Sequence, residues 1–282
     1  MNNPERLISV APNGARKLRA DHPALPLSPE DIAADAAACV AEGASLLHLH
    51  VRDAEGRHSL SADAYKAAIN AVRDQTGSDL IIQITTESAG IFDRTAQIAV
   101  VESVRPESCS VALRELSPNG SQEEVATYRQ FLADCRRESI WVQHILYDAD
   151  DVRRFSDLRA DGVYGEELPF ILLVVGRYRS ESQSDTLELR AMLDALDESP
   201  AAKPVWAACA FGQGETNLLS EAARSGGHVR VGFENNFLMA DGSLAGSNAS
   251  RVGEVAAALG SLGLSPMSAD GARKAFKLRR YR

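Results

Sequence analysis

Leu46-Leu47-His48-Leu49-His50-Val51-Arg52-Asp53 is the stretch on which the reading of the chain turns. Glu42, Gly43 and Ala44 before it have the chemistry of a helix end and a turn. Residues 45–51 are short and apolar apart from the two histidines, the profile of a buried strand. Side chains alternate between the faces of a strand, so His48 and His50 share one face. Two imidazoles side by side on a rigid strand make half of a metal site; the competing reading is a pair of core histidines hydrogen-bonded to neighbours.

Outward from this strand the pattern repeats. Apolar runs at residues 7–10, 80–85, 109–113, 140–147, 170–175, 205–211 and 228–234 read as further strands. Between and after them, residues 28–41, 61–74, 93–101, 121–136, 150–160, 186–196, 217–224 and 248–259 read as helices. Ser28-Pro29-Glu30-Asp31 supplies a cap, a first-turn proline and first-turn acids, and Ser121 with Glu124 forms a capping box. Eight strands that are apolar on both faces, in strict alternation with eight helices, predict a single (β/α)8 TIM barrel spanning residues 1–282. An open doubly wound sheet would carry a glycine-rich phosphate loop after the first strand, and Ala11-Pro12-Asn13-Gly14-Ala15 is not one. Residues 266–282 are expected to form a basic C-terminal tail, whose end Lys277-Leu278-Arg279-Arg280-Tyr281-Arg282 lies on the surface or at a subunit contact.

The net charge of −9 argues against a nucleic-acid or anionic-membrane binder. No apolar run is long enough for a transmembrane span or a signal peptide. Cys39, Cys109, Cys135 and Cys209 form no Cys-x-x-Cys pair, which fits a reducing, cytoplasmic setting rather than a disulfide scaffold.

Barrel active sites lie at the C-terminal ends of the strands. That rule selects His48 and His50; Arg230, Glu234, Asn235 and Asn236; Gln83, Thr85, Thr86 and Glu87; Arg114 and Glu115; Gln143 and His144; and the loop with Arg16, Lys17 and Arg19. The last strand lies two away from the histidine strand across the first, so Glu234 can converge with His48 and His50. Two histidines, one carboxylate and an open position suit catalytic Zn²⁺, and other divalent metals are compatible. The competing reading of Glu234 is a salt bridge with Arg230, and that of the basic loop is a solvated surface. His144 is expected out of phase with the metal. His22, His58 and His228 show no partner pattern, and Gly212-Gln213-Gly214 is a weak phosphate-loop signal.

The stretches at 47–53 and 226–236, with Ala11-Pro12-Asn13-Gly14-Ala15, Leu27-Ser28-Pro29-Glu30 and Ser247-Asn248-Ala249, resemble those of the β-keto acid cleavage enzymes, which include the 3-keto-5-aminohexanoate cleavage enzymes. The resemblance covers nearly the whole chain. It implies a zinc-dependent barrel, a homo-oligomer (tetramer or dimer), in which a small β-keto acid and acetyl-CoA exchange to acetoacetate and a new acyl-CoA. Carried over, His48, His50 and Glu234 are zinc ligands, Arg230 offsets transition-state charge, and Thr85 hydrogen-bonds substrate.

Three departures stand out. Glu234-Asn235-Asn236 replaces a Glu-Asp-Asn motif whose Asp is the proposed general base. Thr85-Thr86-Glu87-Ser88 replaces Ser-Thr-Gly-Gly, and Val142-Gln143-His144-Ile145 replaces a Pro-Glu-x-Glu pattern. The amide of Asn235 cannot take a proton at neutral pH, so Glu87 is expected as the relocated base and Glu115 as the second choice. Gln83 and Arg16 join Thr85 as expected substrate contacts. The alternatives are a zinc hydrolase, disfavoured because residues 170–175 contain no histidine, and a degenerate, non-catalytic metal or ligand binder.

Overall fold

The strands that are apolar on both faces are buried on both faces. In the computed structural model, which describes residues 4–165, 168–177 and 185–278, they are β1 (Ile8–Val10), β2 (Leu46–Leu49), β3 (Ile81–Thr85), β4 (Ser108–Ala112), β5 (Trp141–Leu146), β6 (Phe170–Val175), β7 (Val205–Ala210) and β8 (His228–Val231). They pair in parallel in chain order, and β8 closes onto β1 with Arg230 opposite Ser9. The expected (β/α)8 barrel is therefore observed.

Besides a single helical turn at Leu113–Leu116 after β4, the helices are α1 (Pro29–Ala41), α2 (Ala62–Thr76), α3 (Arg94–Val104), α4 (Gln122–Glu138), α5 (Ala149–Ala160), α6 (Thr186–Asp197), α7 (Glu215–Arg224), α8 (Asn248–Ser261) and a short α9 (Ala269–Ala275). All but α7 start on a Ser or Asp whose side chain accepts a backbone N–H of the first turn, satisfying a donor that helix geometry leaves orphaned.

The two-residue strand period divides the core. Ile8, Val10, Leu47, Leu49, Ile82 and Ile84 point outward against Ala36, Tyr65, Ala68 and Val72 of the helices. Leu46, Ile81, Leu172, Val174, Ala207 and Cys209 fill the barrel lumen. His48 belongs to this inward set, which is why polar side chains at its level must find partners inside the lumen.

Two strands stop short of expectation by two residues or more, and both stops shape the site. β8 ends at Val231 rather than residue 234. Gly232 has φ +138°, and a Cβ there would lie 2.4 Å from the Ala11 carbonyl oxygen, so only glycine lets the chain turn. After the turn the Glu234 N–H donates to that same oxygen at 3.0 Å. β2 ends at Leu49; after His50 the chain re-pairs as Val51–Arg52 against His58–Ser59 in a small antiparallel ribbon.

The start of the expected tail is built into the fold, with Ala269–Ala275 forming α9, while Lys277 is exposed. α9 packs under the barrel floor, where Met267, Ala269, Ala272, Phe276 and Leu278 join the luminal cluster. Trp141 is stacked between Phe170 at 4.3 Å and Phe276 at 5.1 Å. Arg273 is not a free surface charge but donates to buried Glu107 at 2.7 Å. The basic residues hid an apolar helix face. The expectation for residues 279–282 lies outside the described residues.

Candidate metal and substrate site

His48, His50 and Glu234 meet at the C-terminal mouth of the barrel. The two Nε2 atoms are 3.1 Å apart, and Glu234 Oε2 lies 3.5 Å from His48 Nε2 and 3.4 Å from His50 Nε2. Three ligands on a tetrahedral ion with bonds of about 2.1 Å would be spaced by about 3.4 Å. Among the described residues this is the group of histidine, cysteine and acidic side chains whose ligand atoms converge in this way. Glu234 Oε2 is buried and has no hydrogen-bond partner of its own, a cost that a cation in the triangle would remove. The residues present therefore fit a divalent metal.

The loop placement of Glu234 depends on a second glycine. Gly14 has φ +63°, and a Cβ there would come within 2.6 Å of Glu234 Cγ. The β1 loop thus leaves room for the carboxylate to swing over the histidines.

The salt-bridge and metal-ligand readings of Glu234 hold together, because a carboxylate has two oxygens. Oε1 accepts from Arg230 Nη2 at 3.1 Å, while Oε2 faces the imidazoles. Burial alone would raise the Glu234 carboxyl, but the Arg230 guanidinium, with His48 and His50, holds it well below the usual carboxylate range. Burial pushes His48 down to about 3, so it is neutral, as a ligand must be.

The tautomer of His48 is set by Gln83. Gln83 Nε2 donates to Ser108 Oγ at 3.2 Å, which turns Oε1 toward His48 Nδ1 at 2.9 Å. Nδ1 then carries the proton and Nε2 offers its lone pair to the triangle. This corrects the expectation that Gln83 meets substrate: both its amide atoms are spent on the barrel wall, and it is fully buried.

A chamber beside the triad is lined by His48, Thr85, Thr86, Glu87, Ser110, Glu115, Tyr147, Arg177, Arg230 and Glu234, with apolar Ala112, Ile145 and Val174. Thr85 Oγ1 accepts the Glu87 N–H at 3.0 Å, leaving its hydroxyl proton to donate. Glu87 Oε1 accepts from Arg177 Nη2 at 2.8 Å and lies 3.4 Å from Arg16 Nη1. Glu115 Oε2 holds the β3 loop through Ser88 N–H and Gln97 Nε2, and burial raises its carboxyl despite those bonds. Arg16 stands at an outer cleft with Asn13, Gly14, Ala15 and Lys17. Lys17 is committed to the Phe233 carbonyl at 2.6 Å, and Arg19 to Asp31. Both polar atoms of the Asn235 amide are buried without a partner.

Other residues fall away from the site. His144 lies on the outer face of β5, 2.5 Å from the Tyr128 hydroxyl. Arg114 turns to Asp148 and Asp151. The three histidines without an evident partner in the sequence all have partners: His22 with the Ala245 carbonyl and the Ala24 N–H, His58 with the Glu87 carbonyl, and His228 with the Leu7 N–H. Sequence reasoning missed Arg177, Ser110 and Tyr147. Arg177 lies two residues past Val175, the last of β6, so the strand-end rule was the signal that could have found it.

The family profile described as beta-keto acid cleavage enzyme matches residues 6–278. A 3-keto-5-aminohexanoate cleavage enzyme of Fusobacterium nucleatum is 26% identical over 277 residues, covering 97% of this chain and 98% of the relative. A 3-oxoadipate:acetyl-CoA acetyltransferase of Cupriavidus necator is 25% identical, covering 89% and 87%. Among solved structures, the ternary complex of ObcA with C4-CoA adduct and oxalate has the same fold, with a TM-score of 0.73 at 18% identity, covering 91% of this chain and 68% of that one. The chain belongs to the beta-keto acid cleavage enzyme family, whose members are enzymes that cleave β-keto acids with an acyl-CoA.

Proposed function

We propose that this protein is a zinc-dependent β-keto acid cleavage enzyme with a rearranged acid–base set. The β-keto acid R–CO–CH₂–COO⁻ and acetyl-CoA go to acetoacetate and R–CO–CoA, the acetyl group of the thioester becoming the keto end of acetoacetate. The observation that carries the reading is the convergence of His48, His50 and Glu234 beside unspent donors of Arg230. Those three side chains would hold the ion, with zinc fitting first and other divalent metals compatible. When bound, the metal supplies Lewis-acid stabilisation of negative charge on the keto oxygen.

The protein's own groups do the rest. Arg230 keeps Nη2 on Glu234, while Nε and Nη1 are buried without partners and are free to donate to the substrate carboxylate. Thr85 and Ser110 present hydroxyls to the same chamber, and Ser110 Oγ has no other partner. Glu87 is the carboxylate with access to the chamber that can accept the α-proton; Glu115, engaged by the β3 loop, is the second choice. Asn235 can donate and accept hydrogen bonds but cannot take that proton. Four buried free thiols support a reducing compartment, and we assign the protein to the cytoplasm.

One observation favours a second reading: Asn235 stands where a base is expected, which would suit a non-catalytic relative. Turnover of β-keto acids with acetyl-CoA separates the two. Glu87→Gln should lower kcat by about 10²–10⁴ and retain zinc, whereas His50→Ala and Glu234→Gln should lose zinc with the fold kept. Unchanged kcat in Glu87→Gln would reject that base, and gain of activity in Asn235→Asp would point to the degenerate site.

A further inference from the structure

We propose that Arg177 selects the substrate, and that the class it selects is a β-keto acid with a second carboxylate at the far end of its chain. This deepens the reading above by naming the substrate of the same site.

Arg177 is placed for this. It leaves the end of β6 and crosses the mouth to Glu87 at the end of β3. Its guanidinium carbon lies 5.7 Å from the centre of the Tyr147 ring and 5.8 Å from that of Phe211, so two aromatic side chains fix its position. Its side chain is only 17% exposed, yet it borders both the inner chamber and the outer cleft. The chamber has two arginines. Arg230, beside the metal ligands, suits the carboxylate next to the reacting carbon, and Arg177 stands where the rest of the chain must pass.

Glu87 occupies Arg177 in a way that an entering ligand can replace. Among the described residues, both arginine contacts of Glu87 fall on one oxygen, Oε1. Arg177 is thus held through one of its nitrogens, where a free carboxylate can use both of its oxygens. The distal carboxylate takes Arg177, and Glu87 stays neutralised by Arg16 on the cleft side. The exchange turns Glu87 from a structural partner into a carboxylate that faces the chamber. Substrate recognition and the exposure of the base are then one event. A substrate with a neutral end would bind without breaking the Glu87–Arg177 pair and would leave Glu87 locked.

The test is equilibrium binding, which does not depend on turnover. Calorimetry with a 3-oxo dicarboxylate and a 3-oxo monocarboxylate of equal chain length is run on the wild-type protein, Arg177→Gln and Glu87→Gln. The wild type should prefer the dicarboxylate by about 10–100-fold, the worth of one charge-assisted pair. Arg177→Gln should bring the two acids within about threefold of each other. Glu87→Gln, which removes the competing carboxylate, should tighten the dicarboxylate severalfold and leave the monocarboxylate unchanged; a merely structural ion pair would not give that result. Equal or undetectable binding of both acids by the wild type overturns the proposal. So does a preference that survives in Arg177→Gln, or a dicarboxylate weakened by Glu87→Gln. Selective binding without cleavage in the presence of acetyl-CoA would instead refute the proposed reaction and leave the recognition standing.

Discussion

Replacing Gln83 with methionine asks how far the barrel wall controls the metal ligands. The substitution keeps the length and volume of the side chain and removes its amide. Two buried hydrogen bonds go: His48 Nδ1 to Oε1 at 2.9 Å and Nε2 to Ser108 Oγ at 3.2 Å. Ser108 keeps its own bond to the Trp141 carbonyl at 2.7 Å, so the loss falls mainly on His48, whose Nδ1–H has no other acceptor among the described residues. An unmatched buried donor costs about 1–3 kcal/mol, and the second bond adds about 0.5–1.5 kcal/mol, so the metal-free protein should lose about 2–4 kcal/mol of stability. The effect on metal has a separate cause. Without the acceptor, His48 can move its proton to Nε2, the nitrogen that faces His50 and Glu234. Loss of such a supporting contact lowers metal affinity by about 10–100-fold. Chelator-competition titration with zinc measures the second effect, and urea unfolding of the metal-free protein measures the first. Ser108→Ala is the control, because it removes the partner of Gln83 and leaves the contact to His48, so its affinity should fall much less. Zinc affinity in Gln83→Met within about twofold of wild type would refute the argument that Gln83 sets the His48 tautomer.

Arg16→Ala should raise KM for the keto acid or for acetyl-CoA by about three- to tenfold, since its guanidinium stands at the outer cleft; if neither KM moves in steady-state assays, the loop is only solvated. Asp35 accepts a hydrogen bond from Asn248, but burial pushes its carboxyl up to about 7, above the value of an unfolded chain. The native state then holds a proton that the unfolded state has lost, so stability should be full below about pH 4 and fall by about 4 kcal/mol as pH rises to 8, a slope that Asp35→Asn should flatten in urea titrations. Arg251 and Glu215, both wholly buried and 2.6 Å apart, form an ion pair that Arg251 extends to Glu254; Arg251→Met should cost about 3–5 kcal/mol by urea unfolding, and adding Glu215→Leu should recover part of that loss.

What could be read from the sequence was local or periodic. β6 announces itself because both faces are apolar, β2 and β8 because apolar residues alternate with His48, His228 and Arg230, and the helix starts because Ser and Asp caps leave a short-range mark. His48 and His50 share a face by the strand period alone, and Glu234 joins them once the barrel order is accepted. The misses are all partnerships between distant positions. Arg177 and Glu87 are 90 residues apart in the chain, and nothing near either one reveals the other. Gln83 was visible as a polar residue pointing inward, but which neighbour it would meet depends on the register that sets it opposite His48 on one side and Ser108 on the other. α9 was hidden because its basic residues are spaced among Ala269, Ala272 and Phe276, and the charge drew attention from the apolar face. The Glu234 case differs in kind. Ion pair and metal ligand were set against each other as alternatives, and the carboxylate has an oxygen for each: Oε1 accepts from Arg230, and Oε2 faces the two imidazoles. The same division recurs at Glu87, whose two contacts crowd one oxygen. A carboxylate in this mouth is best understood by asking what each oxygen faces, because that decides whether the group is held in place, binds a cation or remains able to take a proton.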